Sequence, residues 1–460
     1  MLDRKSPVWW CVDIIPYLEQ ILNMEHCTCR ADVRHKVGQE VALHESRATA
    51  AGGDHGDDMK FFQEKWAFAL VIAGAALTVS AFEVPADGVY KDRIDWGLIM
   101  DITGPSAAAQ VPWVYGFQDY MRKVNDAGGI HARKINVLAE DDRYDAQRHR
   151  LSFERLVDQT PALGISGMGN SSAQAALMPM IRQGKLPVVG TYTSTKAGTE
   201  PPTPMFYAGF CDYKGMAQVG VGYFAETLKA KAPKVAVVHL DVASGVEYFG
   251  FIQDAIARQG GSAKSLPIKV TAIDATSQVL EIIAGKPDFV AVHGAPTTAI
   301  LLMKTMHQYG LKIPVFAGTY QGSPVVYSAV GPEAGSNLYF ISCFTPSGAD
   351  ESPGVREMSA AADKYGHPTF MDDVNYAGGW VVGQMVAEAI AKIGPEPTRE
   401  KLVASMGKGF AVDTKGVSSL VKYSPDDHKG PVLARPYRFN YQTKKFTAYG
   451  NYADYEKYLK

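Results

Sequence analysis

The sequence predicts an α/β protein of two Rossmann-like, doubly wound lobes, each a parallel sheet covered by helices. Three observations lead there. Short apolar runs alternate with segments of helical period from Arg93 onward. The alternation restarts at Lys234, after a first cycle that closes near Gly190. Strands that alternate with helices pair in parallel through right-handed crossovers.

In the first cycle, residues 94–100 (Ile-Asp-Trp-Gly-Leu-Ile-Met) read as a strand, and 114–125 as a helix with Tyr115, Tyr120, Met121 and Val124 along one side. Asn125-Asp-Ala-Gly-Gly129 stops that helix. A strand over 135–139 follows, then a helix over 146–157 behind an Asp145 cap. A strand over 163–166, a helix over 172–183 and a strand over 186–190 complete the cycle. The second cycle reads as strand 234–240, helix 246–259, strand 265–270, helix 277–284, strand 288–292, helix 297–309 and strand 313–317. A long apolar helix over 373–392, with Tyr376, Val381, Met385 and Ala389 on repeat, is expected to cover one of the sheets.

The chain of 460 residues is 46% hydrophobic and 20% charged, which suits large buried cores and argues against disorder over most of its length. Its 46 basic and 48 acidic residues leave a formal net charge of -2, so no field would gather nucleic acid or an anionic membrane surface. Nucleic-acid binding is not expected.

Composition changes abruptly at Met59. Residues 1–58 lack periodicity and hold Cys11, Cys27 and Cys29. A basic start at Lys60 and Lys65, an uncharged apolar run over 66–81 and the small-residue ending Val79-Ser-Ala81 then form the three parts of a secretory signal peptide. The run is shorter than the ~20 residues that span a bilayer as a helix. The expectation is an upstream extension over 1–58, disordered and arising from a misplaced start codon, a leader over 59–81, and an exported chain over 82–460 with Cys211 and Cys343 only.

Two polar loops stand out. Gly164-Ile-Ser-Gly-Met-Gly-Asn-Ser-Ser172 follows a strand and opens a helix, which aims backbone N–H groups and hydroxyls at one point and makes an anion seat. Simple helix capping by Asn170 and the two serines accounts for the same residues. A dinucleotide loop does not: Ser172 stands where the third glycine belongs, and no acidic residue ends the next strand. The second loop, Gly190-Thr-Tyr-Thr-Ser-Thr195, ends the neighbouring strand, where open parallel sheets form their ligand crevice. No catalytic set, metal site or cofactor motif emerges. Asp141, Asp142 and Asp145 read as strand-end and capping residues, and His239 and His293 as structural histidines at strand ends. An enzyme is not expected.

Thr103-Gly-Pro105 after the first strand, Asn125-Asp-Ala-Gly-Gly-Ile130, Asp141-Asp142 and a strand followed by Asn170-Ser-Ser-Ala-Gln174, together with the leader, resemble the periplasmic leucine/isoleucine/valine-binding protein family of ABC-transporter solute receptors. The likeness runs over residues 92–455. It implies the type I periplasmic-binding fold: lobe 1 over 82–209 plus 346–415, lobe 2 over 210–345 plus 416–460, and a three-crossover hinge that lets them close on a ligand. It also implies a periplasmic monomer that hands a small solute to the permease and ATPase subunits of an importer, without a cofactor. Asn170, Ser171 and Ser172 with Tyr192, Thr193 and Ser194 match the loops that hold the ligand carboxylate. Ser244, Ala295, Tyr320 and Gln321 match the positions contributed by lobe 2, and Gln110 is counted with the ligand-binding set.

The chain departs from the amino-acid receptors of that family at three positions. Ser244 replaces a tyrosine, Ala295 another aromatic residue, and no glutamate stands near Tyr320-Gln321 to neutralise an ammonium. A buried ammonium without an acidic partner costs several kcal/mol. The expected ligand is therefore a small carboxylate without a charged amine, with an aromatic acid preferred because Tyr192 and Tyr320 offer flat faces. An amino-acid receptor of the same transporter class and a sensory or regulatory ligand-binding protein on the same fold are the alternatives. Cys211 and Cys343 fall where neighbouring crossovers are implied, and whether they pair stays open at this point.

Overall fold

The computed structural model describes residues 87–459. The upstream extension, the leader and Cys11, Cys27 and Cys29 all lie outside the described residues.

The first sheet is wholly parallel. It is built from β1 (Arg93–Met100), β2 (Lys134–Asp141), β3 (Ile165–Gly167), β4 (Val188–Thr191) and β5 (Phe206–Ala208) in the spatial order β2-β1-β3-β4-β5. Between these strands run α1 (Ala107–Asp126), α2 (Ala146–Asp158), α3 (Ser171–Arg182) and the short α4 (Lys196–Thr199). The chain then crosses to a second sheet through α5 (Tyr213–Leu228). There β6 (Lys234–Leu240), β7 (Ser262–Ile268), β8 (Phe289–His293), β9 (Val315–Ala317) and β10 (Leu338–Ser342) repeat the same order. The helices α6 (Ala243–Ala257), α7 (Thr276–Gly285), α8 (Pro296–Gln308) and α9 (Pro324–Gly335) alternate with them.

After β10 the chain returns to the first sheet with α10 (Pro353–Tyr365), α11 (Val374–Lys392) and α12 (Arg399–Gly407). A small ladder of β11 (Phe410–Val412) with β12 (Val421–Tyr423) follows. Then β13 (Arg435–Asn440) and β14 (Lys445–Ala448) extend the second sheet antiparallel to β10. The chain thus passes between the sheets three times, and the passages lie side by side. Ser419 donates its N–H to the Cys343 carbonyl at 3.0 Å, and Asp212 donates to Pro431 at 3.0 Å. Cys211 and Cys343, on two of these passages, form a disulfide with their Cα atoms 5.6 Å apart.

Several boundaries differ from the sequence reading for local reasons. Helix α1 starts at Ala107 rather than 114. Its first turns, Ala-Ala-Ala-Gln-Val-Pro, carry no apolar stripe, and Pro112 sits inside the helix. Strand β7 starts at Ser262 and tolerates Pro267 because it is the edge of its sheet. Helix α5 escapes a periodicity reading because Gly215, Gly220 and Gly222 interrupt it. Packing requires those glycines: a β-carbon at Gly220 would lie 2.4 Å from the Phe316 ring, and one at Gly215 2.3 Å from the Val432 carbonyl oxygen.

Helix α11 is buried along almost its whole length and covers the first sheet against α1. The two backbones approach closely because glycines face each other's chain. A β-carbon at Gly379 would stand 1.9 Å from the Trp113 carbonyl oxygen, and one at Gly116 2.0 Å from that of Tyr376. Each tolerates hydrogen alone, so the crossing is fixed by two missing methyl groups. Tyr376 Oη adds a hydrogen bond of 2.8 Å to the buried Asp119 carboxylate of α1.

Candidate functional site

In a doubly wound sheet the crevice forms where the strand order reverses, beyond the carboxyl ends of the strands. In the first sheet that point lies between β1 and β3, in the second between β6 and β8. The two points face each other. The first sheet's side contributes Ser106, Ala109, Tyr144, Gly169, Tyr192 and Thr193 to the cleft, and the second contributes Leu240, Ser244, His293, Gly294, Ala295 and Tyr320. The enclosed space left between them is small, about 20 Å3.

Cross-cleft hydrogen bonds hold the two walls together. Ser171 Oγ donates to Ser244 Oγ at 3.2 Å and accepts from the Ser244 N–H at 3.3 Å. Ser172 Oγ accepts from the Ala243 N–H at 3.3 Å. Nearer the rim, the Lys196 N–H donates to Glu247 at 2.8 Å. On the hinge side, Tyr320 Oη donates to the Tyr192 carbonyl at 3.1 Å. The conformation is the closed one.

The electrostatics of this cleft come from the backbone. Helices α1, α3, α6 and α8 all start at it, with Ser106, Asn170, Val242 and Ala295 as their N-cap residues. Each helix start carries roughly half a positive charge, so the cleft attracts an anion without any lysine or arginine in its wall. Among the described residues no Asp or Glu side chain lines it either. Asp101, just behind, is occupied by the N–H groups of Gly104 and Ser106. Burial nonetheless raises its pKa. Thr193 Oγ1 and Ser194 Oγ are buried hydroxyl oxygens with no hydrogen-bond partner among the described residues. Such groups are costly to leave unpaired, and a bound acceptor would satisfy them.

The expected site residues divide by what their side chains do. Tyr192, Thr193, Ser244, Ala295 and Tyr320 line the gap. Ser171 and Ser172 make the cross-cleft bonds given above. Asn170 caps α3 through the Ala173 N–H at 3.0 Å and donates to the Tyr144 carbonyl at 2.8 Å, so its capping and site-building uses coincide. Gln110 stands behind the wall. Its amide accepts from the Asp101 N–H at 2.8 Å and donates to the Gly169 carbonyl at 3.3 Å, clamping the loops after β1 and β3 together. Gln321 donates to the Gly294 carbonyl, while its Oε1 has no partner among the described residues.

Two readings change. The tyrosine rings are not free faces on both sides: Tyr320 stacks on Phe210 with centroids 4.5 Å apart, and Tyr192 packs against Tyr320 at 5.0 Å. His293, read as a satisfied structural histidine, lines the cleft with Nδ1 unpartnered among the described residues. Burial, with His239 adding, pushes its pKa down to about 3, so the ring is neutral. His239 does behave structurally, bonding the Leu240 carbonyl at 2.9 Å and Ser265 at 2.8 Å. Asp145 caps α2 through the Arg148 N–H.

The sequence reading also passed over Ser106, Ala109, Tyr144, Leu240 and Gly294. Ser106 had a signal, the Thr103-Gly-Pro turn just before it. Tyr144 sits at φ 60° beside Arg143 at φ 50°, left-handed backbone that is unusual for bulky residues and that no composition pattern announces.

A family model described as "Periplasmic binding protein" matches residues 94–443. Among solved structures, a fatty acid ABC transporter substrate-binding protein from Thermomonospora curvata is similar at 22% identity, with 80% of this chain and 95% of that one covered and a TM-score of 0.70. A branched chain amino acid ABC transporter from Thermus thermophilus with bound valine is similar at 19% identity, covering 79% and 97%, with a TM-score of 0.71. A leucine binding protein from Thermotoga maritima follows at 18%, covering 78% and 98%, with a TM-score of 0.66. At these identities the likeness shows the fold alone. No curated protein matches the chain.

Proposed function

The chain belongs to the periplasmic binding protein family, and from that premise we propose that it is the solute receptor of an ABC importer, closing on a small carboxylate that carries no ammonium group. In this reading residues 59–81 are its export leader and the permease and ATPase subunits its partners. The ligand carboxylate takes the helix starts and the free hydroxyls of Thr193 and Ser194. The acyl body lies among Tyr144, Tyr192, Tyr320 and His293, which favours an aromatic acid.

One observation carries the proposal. Four helix starts and the unpaired hydroxyl of Thr193 converge on a cleft that, among the described residues, is lined by no carboxylate. An anion is stabilised there, whereas an α-amino acid would bury its ammonium among neutral groups. Calorimetry on protein unfolded, dialysed and refolded to remove carried-over ligand tests this. Benzoate and related acids should bind and raise the melting temperature. Tight binding of leucine or valine with no response to the acids would overturn it.

A further inference from the structure

His293, in the second wall of the cleft, and Gln321, fully buried behind that wall, each carry a polar atom that lacks a partner among the described residues, and the two point to one place. His293 is 1% exposed and Gln321 0%. His293 Nδ1 and Gln321 Oε1 both have no hydrogen-bond partner among the described residues. They converge over Gly318: a β-carbon built there would lie 3.4 Å from His293 Nδ1 and 3.7 Å from Gln321 Oε1, and would meet no other group within 4 Å outside its chain neighbours. The glycine leaves that space open.

The orientation of both groups is set by their surroundings. Gln321 turns its Nε2 toward the carbonyls of Gly294 and Ala295, so Oε1, an acceptor only, must face the opening. The His293 ring is held between aromatic neighbours, stacked on Tyr248 with centroids 4.5 Å apart and edge-on to Tyr213 and Tyr320 at 5.1 and 5.4 Å. It therefore cannot swing away to find a partner. Apolar filling of the space would leave both atoms unpaired, which is the costly arrangement.

We infer that His293 Nδ1 and Gln321 Oε1 form a polar subsite for an uncharged hydroxyl of the ligand, making the preferred solute a hydroxy-substituted acid. A hydroxyl donates its hydrogen to Gln321 Oε1 and accepts from the N–H of the neutral imidazole, so both orphans are satisfied by one group. A carboxylate would meet the lone pairs of Oε1 and be repelled. An ammonium would find an acceptor but no opposite charge. The inference rests on the carboxylate reading above for the other end of the ligand, while the subsite belongs to the second wall alone.

Titration calorimetry of the refolded, ligand-free protein with benzoate, 3-hydroxybenzoate and 4-hydroxybenzoate tests it. The better hydroxybenzoate should bind about tenfold or more tightly than benzoate, since one satisfied pair of buried groups separates them. In His293→Phe, which keeps a ring against Tyr248, the ratio of hydroxybenzoate to benzoate affinity should shrink to within about twofold, whatever the change in benzoate affinity itself. Gln321→Met is the second variant, with the same expectation, should the first fail to fold. Benzoate binding with no gain from either hydroxyl, as for a subsite filled by a trapped water, overturns the inference and leaves the carboxylate reading standing. A hydroxyl preference that survives in a folded variant also overturns it. Failure of all three acids to bind overturns both readings.

Discussion

Ser171, at the first residue of α3, and Ser244, at the second residue of α6, meet across the cleft with their hydroxyl oxygens 3.2 Å apart. Two helix starts are thereby brought face to face. Their dipole ends repel one another, and the serine hydroxyls, with Ser172 and the Ala243 N–H beside them, offset that repulsion locally. An anion between the helix starts would do so far more strongly, which couples closure to occupancy.

Removing this contact should open the empty receptor. Ser244→Ala deletes one neutral hydrogen bond worth about 1 kcal/mol, so the ligand-free ratio of closed to open molecules should fall about fivefold. Small-angle scattering or a distance measurement between labels on the two lobes reads this directly. A distribution identical to that of the parent protein would mean that the serine pair does not hold the lips.

Thr193 separates ligand contact from scaffold. Its hydroxyl is buried and unpartnered, so Thr193→Val removes an unsatisfied group while keeping the shape. The melting temperature of the empty protein should stay the same or rise, whereas affinity for the carboxylate ligand should fall about tenfold. Unchanged affinity would place the ligand elsewhere along the cleft.

The pH dependence of folding should carry a signature of Asp373. This carboxylate caps α11 through the Asn375 N–H, and burial lifts its pKa to about 6. An unfolded aspartate titrates near 3.9, as is typical (~3.9) of model peptides. Between the two values the native state holds more protons than the unfolded one, so this group's contribution to stability falls as pH rises through that window and levels off above it. Asp373→Asn keeps a capping side chain and removes the titration. The difference in unfolding free energy between parent and variant, taken from urea titrations at pH 4 to 7, should change by up to one proton's slope. A difference constant with pH would contradict the assignment.

The bond between Cys211 and Cys343 closes a sequence separation of 132 residues. Replacing both by alanine should lower stability by about 3 kcal/mol, from loop-closure entropy and the lost packing of two fully buried side chains. Urea unfolding of the double variant against the parent, without reductant, measures this. Identical midpoints would show that the linkage contributes nothing to the folded state.

Four strands of each wound sheet and the two hydroxyl loops were legible because they are local patterns, apolar runs bounded by turns and serines and threonines clustered at strand ends, whereas β5, β10, β13 and β14 were not read. The cleft's second wall was legible only in part. Ser244 and Ala295 could be placed by resemblance, but nothing near His293 in sequence shows that Tyr213, Tyr248 and Tyr320 enclose its ring. The same reason hid the stacking of Tyr320 on Phe210 and the role of Gln110 as a clamp between loops. Helix α5 was missed because its glycines answer to Phe316 and Val432, partners far along the chain.

The α1–α11 crossing has a consequence for how the molecule can be made. The strands of the first sheet all lie before residue 209, yet the helix that seals it comes from residues 374–392, and the Asp119–Tyr376 bond spans 257 positions. A gene cut between the sheets would yield a front half with the apolar faces of Trp113 and Phe117 uncovered, so the lobes cannot be expressed as independent pieces. During synthesis the first sheet must likewise wait, unsealed, until strands β6 to β10 of the second have left the ribosome.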